Sequence, residues 1–387
     1  MKIAGIIAEY NPFHNGHAWQ IARTRDAGYG WVVACMGGHF TQRGEPAVLS
    51  KWDRARMALA CGADAVFELP ALFAVRTADT FARGGVGILN GLGVDALSFG
   101  SEITDMALLR ELAALRDREP AELSADISAK LGAGMSHVRA WGEAVGARLG
   151  MAPEALNRPN ALLAVEYIRA IGACRSRMEP VAIPRRGDYH DDALGAYASA
   201  TAIRAAFARR DTAAALEAIP EAARKWAEPD ALHPMDDMLL YRLRQMTVEE
   251  LAALPDVGEG LENRLYRLCR EASGRAALLE ALKCKRYTWA RLSRLLTHAL
   301  IGIDRAALDA VPTPTYARLI GLRRGAEPLL TALKARASLP IVSSGGTLRG
   351  DVCFEWECRA TDVWSLLHDD PRLRAAGREY VEKFVVV

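Results

Sequence analysis

Short apolar runs alternate with amphipathic stretches over the first half of the chain. Ile3–Ala8, Trp31–Met36, Ala65–Leu69 and Ala96–Phe99 are compact and mostly apolar, the pattern of strands buried on both faces. Between them, Ala18–Asp26, Lys51–Cys61 and Thr77–Leu92 carry apolar residues at helical spacing. This βαβα order predicts an α/β fold with a parallel, Rossmann-like sheet and helices on both faces. Right-handed crossovers would bring the loops after Ala8, Met36 and Phe99 to one edge of that sheet. Residues 103–150 read as Ala- and Leu-rich helix, and Val181–Ile183 is a last strand candidate. Beyond about residue 210 the alternation stops and 213–310 read as helices. The expected division is an α/β domain over 1–210 and a mainly α-helical domain over 211–387.

The loop behind the first run carries the densest chemistry. It reads Glu9-Tyr10-Asn11-Pro12-Phe13-His14-Asn15-Gly16-His17 and leads into a predicted helix, with Asn15 as its expected N-cap. A helix start exposes unpaired N–H groups and a partial positive charge, so it attracts anions. Two imidazoles there add donors for phosphate oxygens, and Gly16 lets a nucleotide approach the backbone. Four residues of HxGH are a short signal. What selects them is their place behind a buried strand, where open α/β sheets bind ligands.

Two more segments fit an anion site. Gly37–Glu45 is glycine-rich, carries His39 and Arg43, and lies beside the HxGH turn in the predicted topology, which makes it a substrate and phosphate loop. Ser50 is placed to cap the next helix, with Lys51 as a further phosphate candidate. Ser199-Ala200-Thr201-Ala202-Ile203-Arg204 opens another helix, where hydroxyls, free N–H groups and Arg204 suit β- and γ-phosphates.

Composition narrows the rest. The net charge is +2 over 387 residues, so any nucleic-acid site must be a local patch rather than a global field. One such patch is Lys283–Arg294, where Lys283, Lys285, Arg286, Arg291 and Arg294 are interleaved with Tyr287 and Trp289 and no acid intervenes. Cations contact phosphates and aromatics stack bases, so these five are RNA-binding candidates. No apolar run approaches the roughly 18 residues of a membrane span. Met1-Lys2 leads straight into the first strand without a signal-peptide pattern. The seven cysteines are scattered and form no CxxC. The expectation is a reduced, cytoplasmic protein with no structural metal, no membrane contact and no evident protein partner.

HxGH behind the first strand resembles the signature of the HIGH-motif nucleotidyltransferase superfamily. The longer strings Ala8–His17 and Gly37–Leu59 resemble the bacterial tRNA(Met) cytidine acetate ligase family, and similar segments recur through most of the chain. The resemblance implies a nucleotidyltransferase-like first domain that activates acetate with ATP, and transfer of the acetyl group to N4 of the wobble cytidine of elongator tRNA(Met). Its partners would be acetate and that tRNA, and Mg²⁺ would accompany the triphosphate. It places ATP against Ile7, Ala8, Glu9, Tyr10, Asn11, Pro12, Phe13, His14, Asn15, Gly16 and His17, and against Gly100, Asn160, Ser199, Thr201 and Arg204. His14, His17 and Arg43 are the catalytic candidates. This chain has Ala161 where the family commonly has a second Asn, and is about one residue shorter after Pro184. Arg185 is therefore the best match for the nucleotide-binding arginine, with Arg186 as the alternative, ahead of a loop that includes Gly187–Asp191. The apolar rings of Tyr10–Phe13 and His39–Phe40 suit a small methyl group. Gly258–Leu265, Tyr316–Gly321 and Arg359–Asp362 also resemble the family's C-terminal half. Two other classes fit the same residues: an adenylyltransferase acting on a phosphorylated metabolite, and a non-catalytic nucleotide-dependent RNA-binding protein.

Overall fold

A computed structural model of the protein describes residues 1–186, 195–229 and 233–387. Five strands form the parallel core: β1 (Ile3–Ala8), β2 (Trp31–Gly37), β3 (Ala65–Leu69), β4 (Ala96–Ser101) and β5 (Glu179–Pro184). Three later strands, β6 (Ala317–Leu322), β7 (Ile341–Val342) and β8 (Val385–Val386), complete an eight-stranded sheet. The order is β5-β4-β1-β2-β3-β6-β7, with β8 pairing β6. Among the described strands of this sheet, β6 against β3 is the one antiparallel pair. The strands of the core are buried almost throughout, as their unbroken apolar runs require.

The strand order reverses at β1, which lies between β4 and β2. That is the switch point where connections leave in opposite directions and a crevice opens beyond the carboxyl ends of the strands. The HxGH turn follows β1 and Gly100 closes β4, so both stand at this crevice.

β6 and β8 come from the segment beyond residue 210, so the sheet begun at the N-terminus is finished by C-terminal segments. Tyr316–Gly321 is therefore mostly strand rather than RNA surface. A buried ionic cluster fastens this return. Lys51, at the start of the helix Lys51–Ala60, has its Nζ 2.9 Å from Glu357 and 2.5 Å from Glu379, and also pairs Glu68 on β3. Arg318 of β6 pairs Glu68 and Glu379 from the other side. These side chains are almost wholly shielded from solvent, and their mutual attraction offsets the cost of desolvating them only because each is multiply paired. Glu357, pushed up to about 7 by burial and by Glu68, also accepts a hydrogen bond from the Ala71 N–H at 2.7 Å.

Candidate active site

The turn after β1 is built around its histidines. His14, not Asn15, is the N-cap of the helix Asn15–Asp26: its Nδ1 accepts from the Gly16 N–H at 3.0 Å. His17 Nδ1 accepts in return from the His14 N–H at 3.2 Å, closing a capping box. The two rings stack at 3.8 Å, and Tyr10 meets His17 edge-on at 4.8 Å. A Cβ on Gly16 would lie 2.8 Å from the His14 ring, so this glycine makes room for the imidazole. Tyr10 is in the left-handed region at φ 50, a local strain of the kind that gathers at functional turns.

Burial, helped by nearby cations, settles the protonation of the pair. Burial, then Arg185 and Arg204, hold His14 down at about 3, and burial, His14 and Arg185 hold His17 well below its ordinary value. Both rings are neutral near pH 7. With each Nδ1 accepting a backbone N–H, the ring proton resides on each Nε2. The turn thus offers two neutral N–H donors.

A cavity of about 1210 Å³ opens over this turn. Ile7, Ala8, Glu9, Tyr10, Asn11, His14, Gly16 and His17 line it, with Arg43, Gly100, Asn160, Arg185, Ser199, Thr201 and Arg204 from the other segments. The structure thereby brings together most of the residues selected from sequence. Ser199 caps the helix Ala200–Ala208 by accepting from Ala202 N–H, so a second helix start faces the same space as the first. Arg204 donates to Asn11 O at 2.8 Å, tying the two starts together. Asn160 Nδ2 donates to Glu102 at 2.8 Å. A Cβ on Gly100 would make only ordinary contacts, 3.5 Å from Arg185 and 3.8 Å from Gln20, so packing does not demand glycine there and the space left belongs to the cavity. Arg186 also reaches the cavity, but stacks on Trp19 at 4.0 Å, while Arg185 bears on the histidines. Of the loop behind them, residues 187–191 lie outside the described residues.

Several expected contacts do not form. Phe13 is wholly buried, in one apolar cluster with Ala202 and Ile203, and neither it nor Pro12 lines the cavity. Asn15 turns away and donates to Ala196 O at 2.7 Å. His39 and Phe40 are each 1 % exposed and contribute nothing to an acyl pocket. His39 is bonded to Thr361 at 2.9 Å and stacked on Trp364 at 4.2 Å, so Arg359–Asp362 serves the loop's anchorage. Lys51 is no phosphate ligand, being enclosed by carboxylates. The basic stretch also divides. Lys285 and Arg286 are exposed, with Arg286 3.1 Å from Glu259. Lys283 donates to its neighbour's carbonyl and Arg291 to Asp256 O, whereas Arg294 is buried in the cavity wall, 3.5 Å from Asp256.

Sequence reasoning missed Arg54. It is fully buried and donates to Leu49 O at 3.2 Å, Glu9 O at 2.6 Å, Gly37 O at 3.1 Å and Gly38 O at 2.5 Å, joining the ends of β1 and β2. Glu9 in turn accepts from the Gln42 N–H; burial raises its pKa despite that bond. An arginine on an amphipathic helix gives no sign of this in sequence. Sequence reasoning selected Trp289 and Arg294 within a basic patch but not Arg275 or Leu279, and nothing in the pattern says that these helices wall the same cavity.

The chain matches the family model described as HIGH Nucleotidyl Transferase over residues 1–379. It is 37% identical to the tRNA(Met) cytidine acetate ligase of Bacillus subtilis, over 96% of this chain and 94% of that protein. It is 31% identical to the protein of the same name from Acetivibrio thermocellus, over 100% of each. Among solved structures, Thermotoga maritima TmcAL bound with alpha-thio ATP superposes with a TM-score of 0.91 at 29% identity, and its apo form with 0.93, each over the full length of both chains.

Proposed function

The chain belongs to the HIGH nucleotidyl transferase family and, within it, to the tRNA(Met) cytidine acetate ligases, and we propose that it joins acetate to a tRNA cytosine at the expense of ATP. In the first step an acetate oxygen bonds to the α-phosphorus of ATP and the bond to the β-phosphate oxygen breaks, releasing pyrophosphate. In the second, N4 of the wobble cytidine of elongator tRNA(Met) bonds to the acetyl carbon. The bond from that carbon to the phosphate oxygen breaks, AMP leaves, and N4 gives up one proton.

The observation that carries this reading is the convergence of two helix starts on one cavity at the sheet's switch point. His14 and His17 present neutral Nε2–H donors toward the α-phosphate, and Ser199, Thr201, Arg204 and Arg185 receive the leaving pyrophosphate. Such preorganised donors stabilise charge that develops during phosphoryl transfer without needing a covalent nucleophile. Arg43, exposed on the loop between β2 and the next helix, lines the same cavity and completes the set.

Mg²⁺ would enter with the triphosphate. Of the cavity's acids, Glu9 accepts from Gln42, Asp79 from Thr77, Glu166 pairs Arg116 and Arg169, and Glu45 lies 3.9 Å from Arg204. Among the described residues the grouping His39–Glu357–Glu379 has metal-like spacing, but Lys51 already occupies the two carboxylates. Phosphate oxygens and water therefore suit the ion better than a protein cage. We place the reaction in the cytoplasm, with its tRNA; no described helix is long and apolar enough to cross a membrane.

Exchange of labelled pyrophosphate into ATP tests the first step. Exchange that depends on acetate alone supports the reading. Exchange that needs a phosphorylated metabolite points to an adenylyltransferase, and no exchange points to a binding protein.

A further inference from the structure

The cavity exceeds what a nucleotide needs. At about 1210 Å³ it is larger than the roughly 300–1,000 Å³ usual for a single small ligand. Part of its lining comes from the helical segments: Arg275 and Leu279 on the helix Arg275–Leu282, and Trp289, Ser293 and Arg294 on the helix Trp289–Ile301.

This wall is locked to the phosphate loop. Gly44 O accepts from Arg275 Nη2 at 3.0 Å, Ser293 Oγ at 2.8 Å and Thr297 Oγ1 at 2.8 Å. Gly44 has φ 72, and a Cβ there would meet the Arg294 backbone at 2.5 Å, so only glycine permits the approach. The loop bearing Arg43 and the helix bearing Trp289 are therefore one unit.

Trp289 is 45% exposed, whereas Trp52, Trp141 and Trp364 are buried. Trp19, which also lines the cavity, has its ring covered by Arg23 and Arg186. The Trp289 indole has no ring contact or hydrogen bond among the described residues. An open aromatic face inside a cavity matches a flat partner. Two guanidiniums share the wall. Arg294, 6% exposed, has its Nε 3.5 Å from Asp256, and Arg275 keeps a buried Nε without a hydrogen-bond partner. Aromatic face and adjoining cations together are the chemistry of an unstacked nucleotide.

We propose that Trp289 is the stacking platform for the acceptor base, holding the cytosine ring so that N4 reaches the acetyl-adenylate, with Arg294 and Arg275 toward its phosphate. The inference rests on the function proposed above. Trp289 is a positioning residue: stacking is tolerant of base identity, so the choice of cytosine comes from other groups.

The test uses full-length protein and an unmodified transcript of elongator tRNA(Met). Trp289→Ala should lower kcat/KM for RNA in acetyl transfer by about 5- to 150-fold, the loss of one base stack. Acetate-dependent pyrophosphate exchange should change far less, and Trp289→Phe should recover most of the transfer. RNA should quench a component of the tryptophan fluorescence that is missing in Trp289→Phe. Transfer by Trp289→Ala equal to wild type, or quenching unchanged in Trp289→Phe, overturns the inference. So does an equal fall of exchange and transfer that Phe does not rescue, which would mark a structural role. Wild type that shows exchange but no acetyl transfer to RNA defeats the proposed function itself, and is read before either variant.

Discussion

Lys51 and His17 both stand in the first turn of a helix that follows a parallel strand, and the chain uses them in opposite ways. The histidine's first turn opens into a cavity, and its ring proton is left over after the capping box is made. The lysine's ammonium is enclosed by Glu68, Glu357 and Glu379 and reaches no ligand. One site keeps a ring N–H beside the cavity. The other is closed and holds the C-terminal segments against the sheet. A polar residue at a helix start is thus no guide to chemistry until its remaining donors have been traced.

The largest expected effect breaks the closed site. Lys51→Met leaves three buried carboxylates, of which Arg318 pairs Glu68 and Glu379, and should cost about 3–5 kcal/mol of stability. Chemical denaturation measures it; a loss below 1 kcal/mol, well short of a broken buried pair, would mean the cluster does not fasten the fold. At the open site, His17→Ala should reduce acetate-dependent pyrophosphate exchange by at least about a hundredfold, the scale of one lost transition-state donor, with the fold retained. Near-normal exchange would take His17 out of the chemistry.

A smaller effect separates the surface from the cavity. Lys285→Ala combined with Arg286→Ala should flatten the log–log salt dependence of tRNA binding by roughly one to two units. Exchange without tRNA should be preserved, since both residues are exposed and away from the cavity lining. An unchanged salt slope would assign them to plain surface.

The smallest effect is a signal that stays still. His14 is held at about 3, against an ordinary 6.5. The unfolded chain therefore binds the extra proton between these values, and this histidine's contribution to stability is full above pH 6.5 and declines as pH falls toward 3. In the free protein the His14 ring resonance, assigned by comparison with His14→Gln, should not titrate between pH 6 and 8. A midpoint near 6.5 would contradict the neutral-donor arrangement.

The parallel core was legible because its strands are buried on both faces and leave unbroken apolar runs; the first five were placed within a residue or two of their observed bounds. The two helix starts that face the cavity were legible because polar and basic side chains cluster there in sequence, although the first cap proved to be His14 rather than Asn15. β6 and β8 were not, since a strand that returns from residue 317 carries no local mark of the sheet it joins. Gly37–Leu59 taught the same lesson within the site. His39, Lys51 and Arg54 carry the polar look of a substrate loop, yet all three are buried and spent on carbonyls, carboxylates and ring packing. Only long-range contacts reveal that: Glu357 and Thr361 lie some three hundred residues away in the chain. The cavity wall at Trp289 escaped for the same reason, since its distance from the HxGH turn in sequence hides their common enclosure.

The most direct test of the account is the fate of the acetyl group. Purified protein is incubated with ATP, Mg²⁺, carbon-labelled acetate and an unmodified elongator tRNA(Met) transcript, and the RNA is digested to nucleosides. The account predicts label in N4-acetylcytidine, located at the wobble position, with AMP and pyrophosphate released in step with it. ATP consumption that leaves the RNA unlabelled, or label carried by any product other than acetylated cytidine, would contradict it.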